Sequence, residues 1–203
     1  MSEDQLDKKV IGFAGRAGAG KDEAARYISK HCQAQLLSIG DIAREIAERR
    51  GMTKSRDNLH AITEEYYQEK GPSYFTQQII KKVQSSDRNL IVISGIRSHQ
   101  DDALLRERFT DSYLLAAVRV GERRIRFQRT KNRDDPRDPQ TYQSFLEEDQ
   151  EEEEMFNIGE TLDHADIVIE NSGTLEEFHR RIRKKLFEGP LSPYCGSAGK
   201  GAE

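Results

Sequence analysis

The residues whose types and spacing carry the clearest chemistry are Gly15-Arg16-Ala17-Gly18-Ala19-Gly20-Lys21-Asp22. They form a G-x-x-x-x-G-K run between a short apolar stretch, Val10-Ile11-Gly12-Phe13-Ala14, and a helix-compatible stretch that begins at Asp22. In that setting the run reads as a phosphate-binding loop. Glycines open backbone conformations closed to other residues, so successive N–H groups can point into one concavity and hold phosphate oxygens. The positive end of the following helix adds to the attraction, and Lys21 can reach β- and γ-phosphates. The plainer alternative is a glycine-rich structural turn. The residue after the lysine in such loops is usually Ser or Thr, whose hydroxyl coordinates Mg²⁺, but here it is Asp22. A carboxylate is itself a ligand for a hard cation, while an acid at a helix start also favours the helix dipole. The sequence leaves both readings of Asp22 open.

Three further groups could act on phosphate. Asp41 and Arg44 stand at i and i+3 in Ser38-Ile39-Gly40-Asp41-Ile42-Ala43-Arg44, on one helix face. Arg44 could grip a second, acceptor phosphate, and Asp41 could orient a hydroxyl or a metal-bound water. Their plainer alternative is an N-cap beside a solvated arginine. Arg97 follows the apolar run Leu90-Ile91-Val92-Ile93-Ser94, where a guanidinium can make bidentate phosphate contacts. Arg123, Arg126, Arg129 and Arg133 fall within a stripe of roughly 120° on a helix, so they could face a triphosphate together. One or two of them could instead pair with the acidic helix that follows. In that helix the acids of 147–154 occupy every face, which fits a solvated or lid-pairing role better than a metal site. His31, His60, His99, His164 and His179 are scattered, and none is assigned a catalytic role.

The elements that must position these groups alternate. The hydrophobic pattern predicts strands near 10–14, 35–39, 90–94, 112–118 and 166–170. It predicts helices near 22–31, from 41, 73–84, 100–108, 122–131, from 141 and over 174–187, the last opening on a Thr174/Glu177 capping box. Residues 51–72 read as a helical insertion and 132–139 as a charged loop. Strands alternating with helices imply a parallel α/β sheet with right-handed crossovers and with ligands at the strands' carboxyl ends.

Composition narrows the function classes. With 203 residues there is room for one substantial core, and the chain is expected to be a single domain over 9–187 with a disordered tail over 188–203. A net charge of −4 gives no support to a nucleic-acid or membrane partner. Cys32 and Cys195 have no metal-ligand spacing, so neither a disulfide framework nor a zinc site is expected. No long apolar run or charged-then-apolar leader is present, which makes a cytoplasmic setting the default.

Taken together, these segments resemble the nucleoside monophosphate kinase group of P-loop proteins. Ser38-Ile39-Gly40-Asp41-Ile42-Ala43-Arg44 approximates a segment that adenylate kinases carry after strand two, and Ser94-Gly95-Ile96-Arg97 echoes one after their third strand. The stretch from His164 through Asn171-Ser172-Gly173 to Glu177 is similar to dephospho-CoA kinases. A largely archaeal kinase-like family has a similar Gly-Asp, Gly-Ile-Arg-Ser and Asn-x-Gly layout, and the resemblance covers about residues 9–187. The resemblance implies a three-layer P-loop fold with strand order 2-3-1-4-5, and an ATP- and Mg²⁺-dependent phosphotransferase. Its acceptor would be a small phosphorylated molecule, either a (deoxy)nucleoside monophosphate or a dephospho-CoA-like one. ATP would lie on residues 15–22 and beside Asn171 and Gly173. Arg44 and Arg97 would hold the acceptor under the 51–72 insertion, with 121–140 as a lid. Lys21, Asp41, Arg97, Arg126, Arg129 and Arg133 would form the catalytic set. Relatives usually carry an acid where Ser94 stands, so the metal-supporting carboxylate is expected at Asp22, or alternatively at Asp41. The rival reading is an ATP-binding regulatory protein without transfer to a small acceptor.

Overall fold

Alternation along strand β1 (Lys9–Ala14) sets the layers of the computed structural model, which describes residues 8–133, 135 and 138–195. Val10 and Ala14 point into one apolar layer, and Ile11 and Phe13 into the other. Both layers are closed to water, so β1 must be apolar on both faces, as parallel central strands are. After β1 come α1 (Lys21–His31), β2 (Gln35–Ser38), α2 (Ile39–Arg49), α3 (Arg56–Lys70), α4 (Tyr74–Gln84) and β3 (Leu90–Ile96). Then follow α5 (His99–Phe109), β4 (Tyr113–Arg119), α6 (Arg123–Lys131), α7 (Tyr142–Phe156), α8 (Ile158–Asp163), β5 (Ile167–Glu170) and α9 (Leu175–Ile182).

The five strands pair in the order β2-β3-β1-β4-β5, every neighbour parallel, which is the order expected from the resemblance. α2, α4 and α5 cover the face that holds Val10, Ile91, Ile93 and Leu115. α1 and α9 cover the face that holds Ile11, Phe13, Val92 and Leu114. Each of these buried aliphatic or aromatic side chains contributes about 1.5–3 kcal/mol. Because all the strands run the same way, the loops after β1, β2, β3, β4 and β5 open at one edge of the sheet. At Gly95 the β1–β3 register slips by one residue, with φ at 91°, a conformation that suits glycine. That bulge carries the chain from Ser94, packed in the sheet, to Arg97 at the strand's mouth.

Some boundaries depart from the sequence reading. α2 starts at Ile39 with Ser38 as its N-cap, so Asp41 lies inside the first turn rather than at the cap. The acidic helix ends at Asn157, whose left-handed backbone (φ 47°) starts the separate short helix α8. The expected disordered tail is corrected over residues 188–195. After α9 a π-helical turn over Arg183–Phe187 leads the chain back onto the sheet layer, where Leu191 is 0% exposed and packs with Ile28 and Phe178. Residues 196–203 lie outside the described residues. The expectation of unbridged cysteines is corrected as well, because Cys32, just past α1, is joined to Cys195 by a disulfide. The two cysteines are 163 residues apart, and only the return of the chain end to α1 brings them together.

Candidate functional site

The loop between β1 and α1 has the backbone that its glycines foretell. Gly18 and Gly20 have φ of 74° and 100°. A Cβ on Gly18 would sit 2.4 Å from the Arg126 carbonyl oxygen, and one on Gly20 would sit 2.5 Å from Asn171 Nδ2. Neither position accepts a side chain, because each is pressed against another element. The loop is held from outside at two carbonyls. Arg126 Nη1 donates to the Ala17 oxygen at 3.1 Å, and Asn171 Nδ2 donates to the Ala19 oxygen at 2.8 Å. With these carbonyls engaged outward, the loop is set up as an anion cradle at the start of α1.

Lys21 and Asp22 line a cavity of about 330 Å³ at the carboxyl edge of the sheet. The Lys21 ammonium is 4.0 Å from the Asp22 carboxylate, and Ser94 Oγ donates to Asp22 Oδ1. Lys21 is the main cause that holds the Asp22 carboxyl below its usual pKa, against burial and with help from the Ser94 hydrogen bond. Asp22 is therefore an ionised oxygen donor in the position where a hydroxyl is usual. Ionised Asp22 and the Ser94 hydroxyl are hard oxygen groups of the kind Mg²⁺ takes when phosphates supply the rest of its shell. β3 thus presents a hydroxyl and α1 a carboxylate, joined by a hydrogen bond.

The same cavity is lined by Arg44, Arg97 and Arg133. Arg97 Nε is 3.6 Å from Glu152 Oε1, and its guanidinium lies 5.2 Å from the Phe156 ring centre. Arg44 donates to Asp41 at 2.5 Å, an i,i+3 pair with both side chains partly exposed. Asp41, the alternative metal-supporting acid, is joined to Arg44, which lines the cavity. Arg133 makes a two-point contact with Asp138 at 3.0 and 2.7 Å.

The arginine stripe does not converge, and that expectation is corrected too. Arg126 is 3% exposed and makes two 2.7 Å hydrogen bonds to Asp149 of α7, which is 5% exposed. Arg129 donates to the carbonyls of Asn171 and Gly173 at 2.7 and 3.1 Å, tying α6 to the turn after β5. Burial lowers the Arg129 pKa from its ordinary value. Arg123 is exposed and 3.8 Å from Asp149. Arg16, whose neighbours along the loop are cradle residues, turns away to Glu153 at 2.6 Å. Helical spacing placed these arginines on one side, but Arg123 and Arg126 meet Asp149 of the acidic helix, as the alternative reading allowed. Arg129 and Arg133 meet other partners, because a guanidinium is satisfied by whichever carboxylate or carbonyl the tertiary fold supplies. Asn171 does abut the loop and is buried, while Gly173 meets Arg129 and Glu177.

The sequence reading missed Arg56, His60, Tyr67 and the cavity face of α7, where Glu148, Glu151 and Glu152 lie. Burial pushes the Tyr67 hydroxyl up to about 12, helped by Asp101 and opposed by Arg97, so it stays protonated. Only the expectation that the 51–72 insertion covers an acceptor could have pointed to Arg56. No period in the acidic run separated its cavity face from its solvent face.

Known proteins agree with this architecture. The family profile described as AAA domain matches residues 14–145. The chain is 32% identical to a UPF0200 protein of Pyrococcus horikoshii over 177 residues, which is 86% of this chain and 94% of that one. It is 29% identical to a UPF0200 protein of Methanothermobacter thermautotrophicus over 181 residues, 89% of this chain and 90% of that one. Among solved structures, a gluconokinase from Sinorhizobium meliloti superposes with a TM-score of 0.54 at 15% identity, covering 87% of this chain and 90% of that one. A shikimate kinase from Bacteroides thetaiotaomicron gives 0.55 at 12% identity, covering 87% and 95%. Such identities show the shared P-loop kinase fold and nothing finer. On the sequence matches, the chain belongs to the UPF0200 family and carries its P-loop within an AAA-type domain.

Proposed function

We propose that this chain is an ATP- and Mg²⁺-dependent phosphotransferase acting on a small phosphorylated acceptor, a (deoxy)nucleoside monophosphate or a dephospho-CoA-like molecule. One observation carries the reading: Lys21 and Asp22 share a single cavity with Arg44 and Arg97. A protein that only holds ATP has no need of a second cationic group at the carboxyl ends of β2 and β3.

In this reading the loop amides of residues 15–22 and Lys21 hold the β- and γ-phosphates. Arg44 and Arg97 hold the acceptor phosphate and cancel the repulsion between two anions that must approach closely. Asp22, supported by Ser94, would hold Mg²⁺, which would supply positive charge against the phosphate oxygens. Arg133, at the cavity, faces the charge that spreads over the γ-phosphoryl oxygens. Arg126 and Arg129 act as positioning residues, the first through the Ala17 carbonyl and the second through the Asn171–Gly173 turn beside the nucleotide. Helix α3 in the 51–72 insertion covers the acceptor, and 121–140 is the lid.

The test is transfer from ATP and Mg²⁺ to a panel of nucleoside monophosphates, deoxynucleotides and dephospho-CoA, with the Lys21→Ala protein beside it. Transfer to one acceptor, lost in Lys21→Ala, is the expected result. The regulatory reading draws on Ser94, a hydroxyl where kinase relatives usually carry an acid, and tight ATP binding without turnover of any acceptor would put it ahead.

A further inference from the structure

Arg56 opens α3, outside every segment that resembles a phosphate-binding motif, yet it lines the cavity with Arg44 and Arg97. Its partner is Glu148 of α7, at 2.5 Å. One helical turn further on, Glu152 lies 3.6 Å from Arg97. Positions 148 and 152 share a helix face, and both line the same cavity. Building on the phosphotransferase reading, we infer that Arg56 is a third ligand for the acceptor phosphate. Glu148 and Glu152 hold Arg56 and Arg97 in the phosphate's place until a phosphomonoester displaces them.

Three features support the exchange. The carboxylates and the ligand compete for the same donors, since a guanidinium fork matches carboxylate and phosphate alike. The resident pairs are weak, because the side chains of Arg56 and Glu148 are 49% and 25% exposed, and pairs open to water contribute little. A phosphate dianion that takes donors from several guanidiniums at once makes stronger, charge-assisted contacts. Finally, Glu148 is a reluctant carboxylate: burial raises its pKa against the pull of Arg56, and Glu151 and Asp138 raise it further. Once Arg56 turns to phosphate, Glu148 can take up a proton, which lowers the repulsion between it and the incoming anion.

α7 is well placed to present these acids without following them. Asp149, between the two, is fixed to Arg126 and through it to the Ala17 carbonyl. The ligand class that fits is a phosphomonoester; a neutral acceptor such as a free nucleoside gives Arg56 and Arg97 no reason to leave their carboxylates.

The experiment is calorimetric binding to the full chain saturated with Mg²⁺ and a non-hydrolysable ATP analogue. The probes are nucleoside 5′-monophosphates, dephospho-CoA, inorganic phosphate and the free nucleosides. Arg56→Ala should weaken the best phosphomonoester by about 10- to 100-fold and leave the ATP analogue's affinity unchanged. Arg56→Lys should recover part of the loss, and Glu148→Gln should tighten binding several-fold. Wild-type affinity in Arg56→Ala, weaker binding in Glu148→Gln, or equal binding of nucleosides and their monophosphates would each overturn the inference. Because no turnover is measured, Arg56-dependent binding in a protein that transfers no phosphate would keep this inference and remove the phosphotransferase reading.

Discussion

Removing the Asp149 carboxylate, as in Asp149→Ala, should destabilise the protein more than any single change on the exposed face of α7. Arg126 is 3% exposed and has two 2.7 Å bonds to Asp149 and one of 3.1 Å to the Ala17 carbonyl. Without Asp149 a guanidinium is left buried with one neutral acceptor, and breaking such a pair from one side costs about 3–5 kcal/mol. Domains of this kind are stable by about 5–15 kcal/mol, so the loss is a large part of the whole. In urea, at an m-value of about 2–3 kcal/mol/M, the midpoint should fall by roughly 1–2 M with the slope unchanged. Replacing both partners by apolar residues, Arg126→Met with Asp149→Leu, removes the uncompensated charge and should restore most of the stability. The double variant still lacks the donor to the Ala17 carbonyl, so its ATP affinity should stay several-fold below wild type. A loss under about 1 kcal/mol in Asp149→Ala, or a double variant no more stable than the single one, would refute the account of Arg126 as a charge held by Asp149.

Asp22→Ser tests the displaced carboxylate: turnover should need more Mg²⁺ to saturate, and an unchanged Mg²⁺ dependence would sink the idea. The same group has a pH signature. Its folded pKa lies below the 3.8 of an ordinary Asp, chiefly because of Lys21. The stability it contributes is present above that ordinary value and is lost as the pH falls through the lower folded one. Urea midpoints from about pH 5 down to about pH 2.5 should therefore fall less steeply in Asp22→Asn than in wild type, and parallel curves would contradict the assignment. The Cys32–Cys195 bridge closes a separation of 163 residues. A loop of that length is worth about 3–5 kcal/mol. Cys32→Ala with Cys195→Ala, or reductant on the wild type, should lower the melting temperature by about 10 °C, and a melting curve indifferent to reductant would show that the bridge adds nothing.

What the sequence made legible was what repeats or what is chemically rare. Strand positions followed from apolar runs such as Leu90–Ile96 alternating with helices, because burial on both faces leaves a continuous mark, whereas the strand order came from the resemblance. The cradle followed from Gly18, Gly20 and Lys21, since positive φ and close approach exclude other residues. Partner choice was legible only in part: pairing of one or two arginines with the acidic helix was one alternative, and Arg126 on Asp149 fits it, but which arginine and which acid was not readable. Arg126, Arg129 and Arg133 share a helical stripe, yet they end on Asp149, Asn171 and Asp138, on three different elements. The acidic run shows the same limit more sharply. Its acids occupy all faces of α7, and from spacing alone they read as solvated or lid-pairing, with no way to tell which acid does which. In the fold, adjacent residues have opposite tasks: Asp149 faces inward and fixes the P-loop through Arg126, while Glu148 faces the cavity and holds Arg56. A helix with charge on every side carries no amphipathic period to read, so its function depends on which cations the rest of the chain brings to each face. Here those cations are Arg16, Arg56, Arg97 and Arg126, drawn from the P-loop, α3, the end of β3 and α6. Helix α7 thus links Arg126, which holds the Ala17 carbonyl, to Arg56 and Arg97 at the cavity; on the proposed function these are the nucleotide and acceptor ends, and a charge change on one face should be felt at the other.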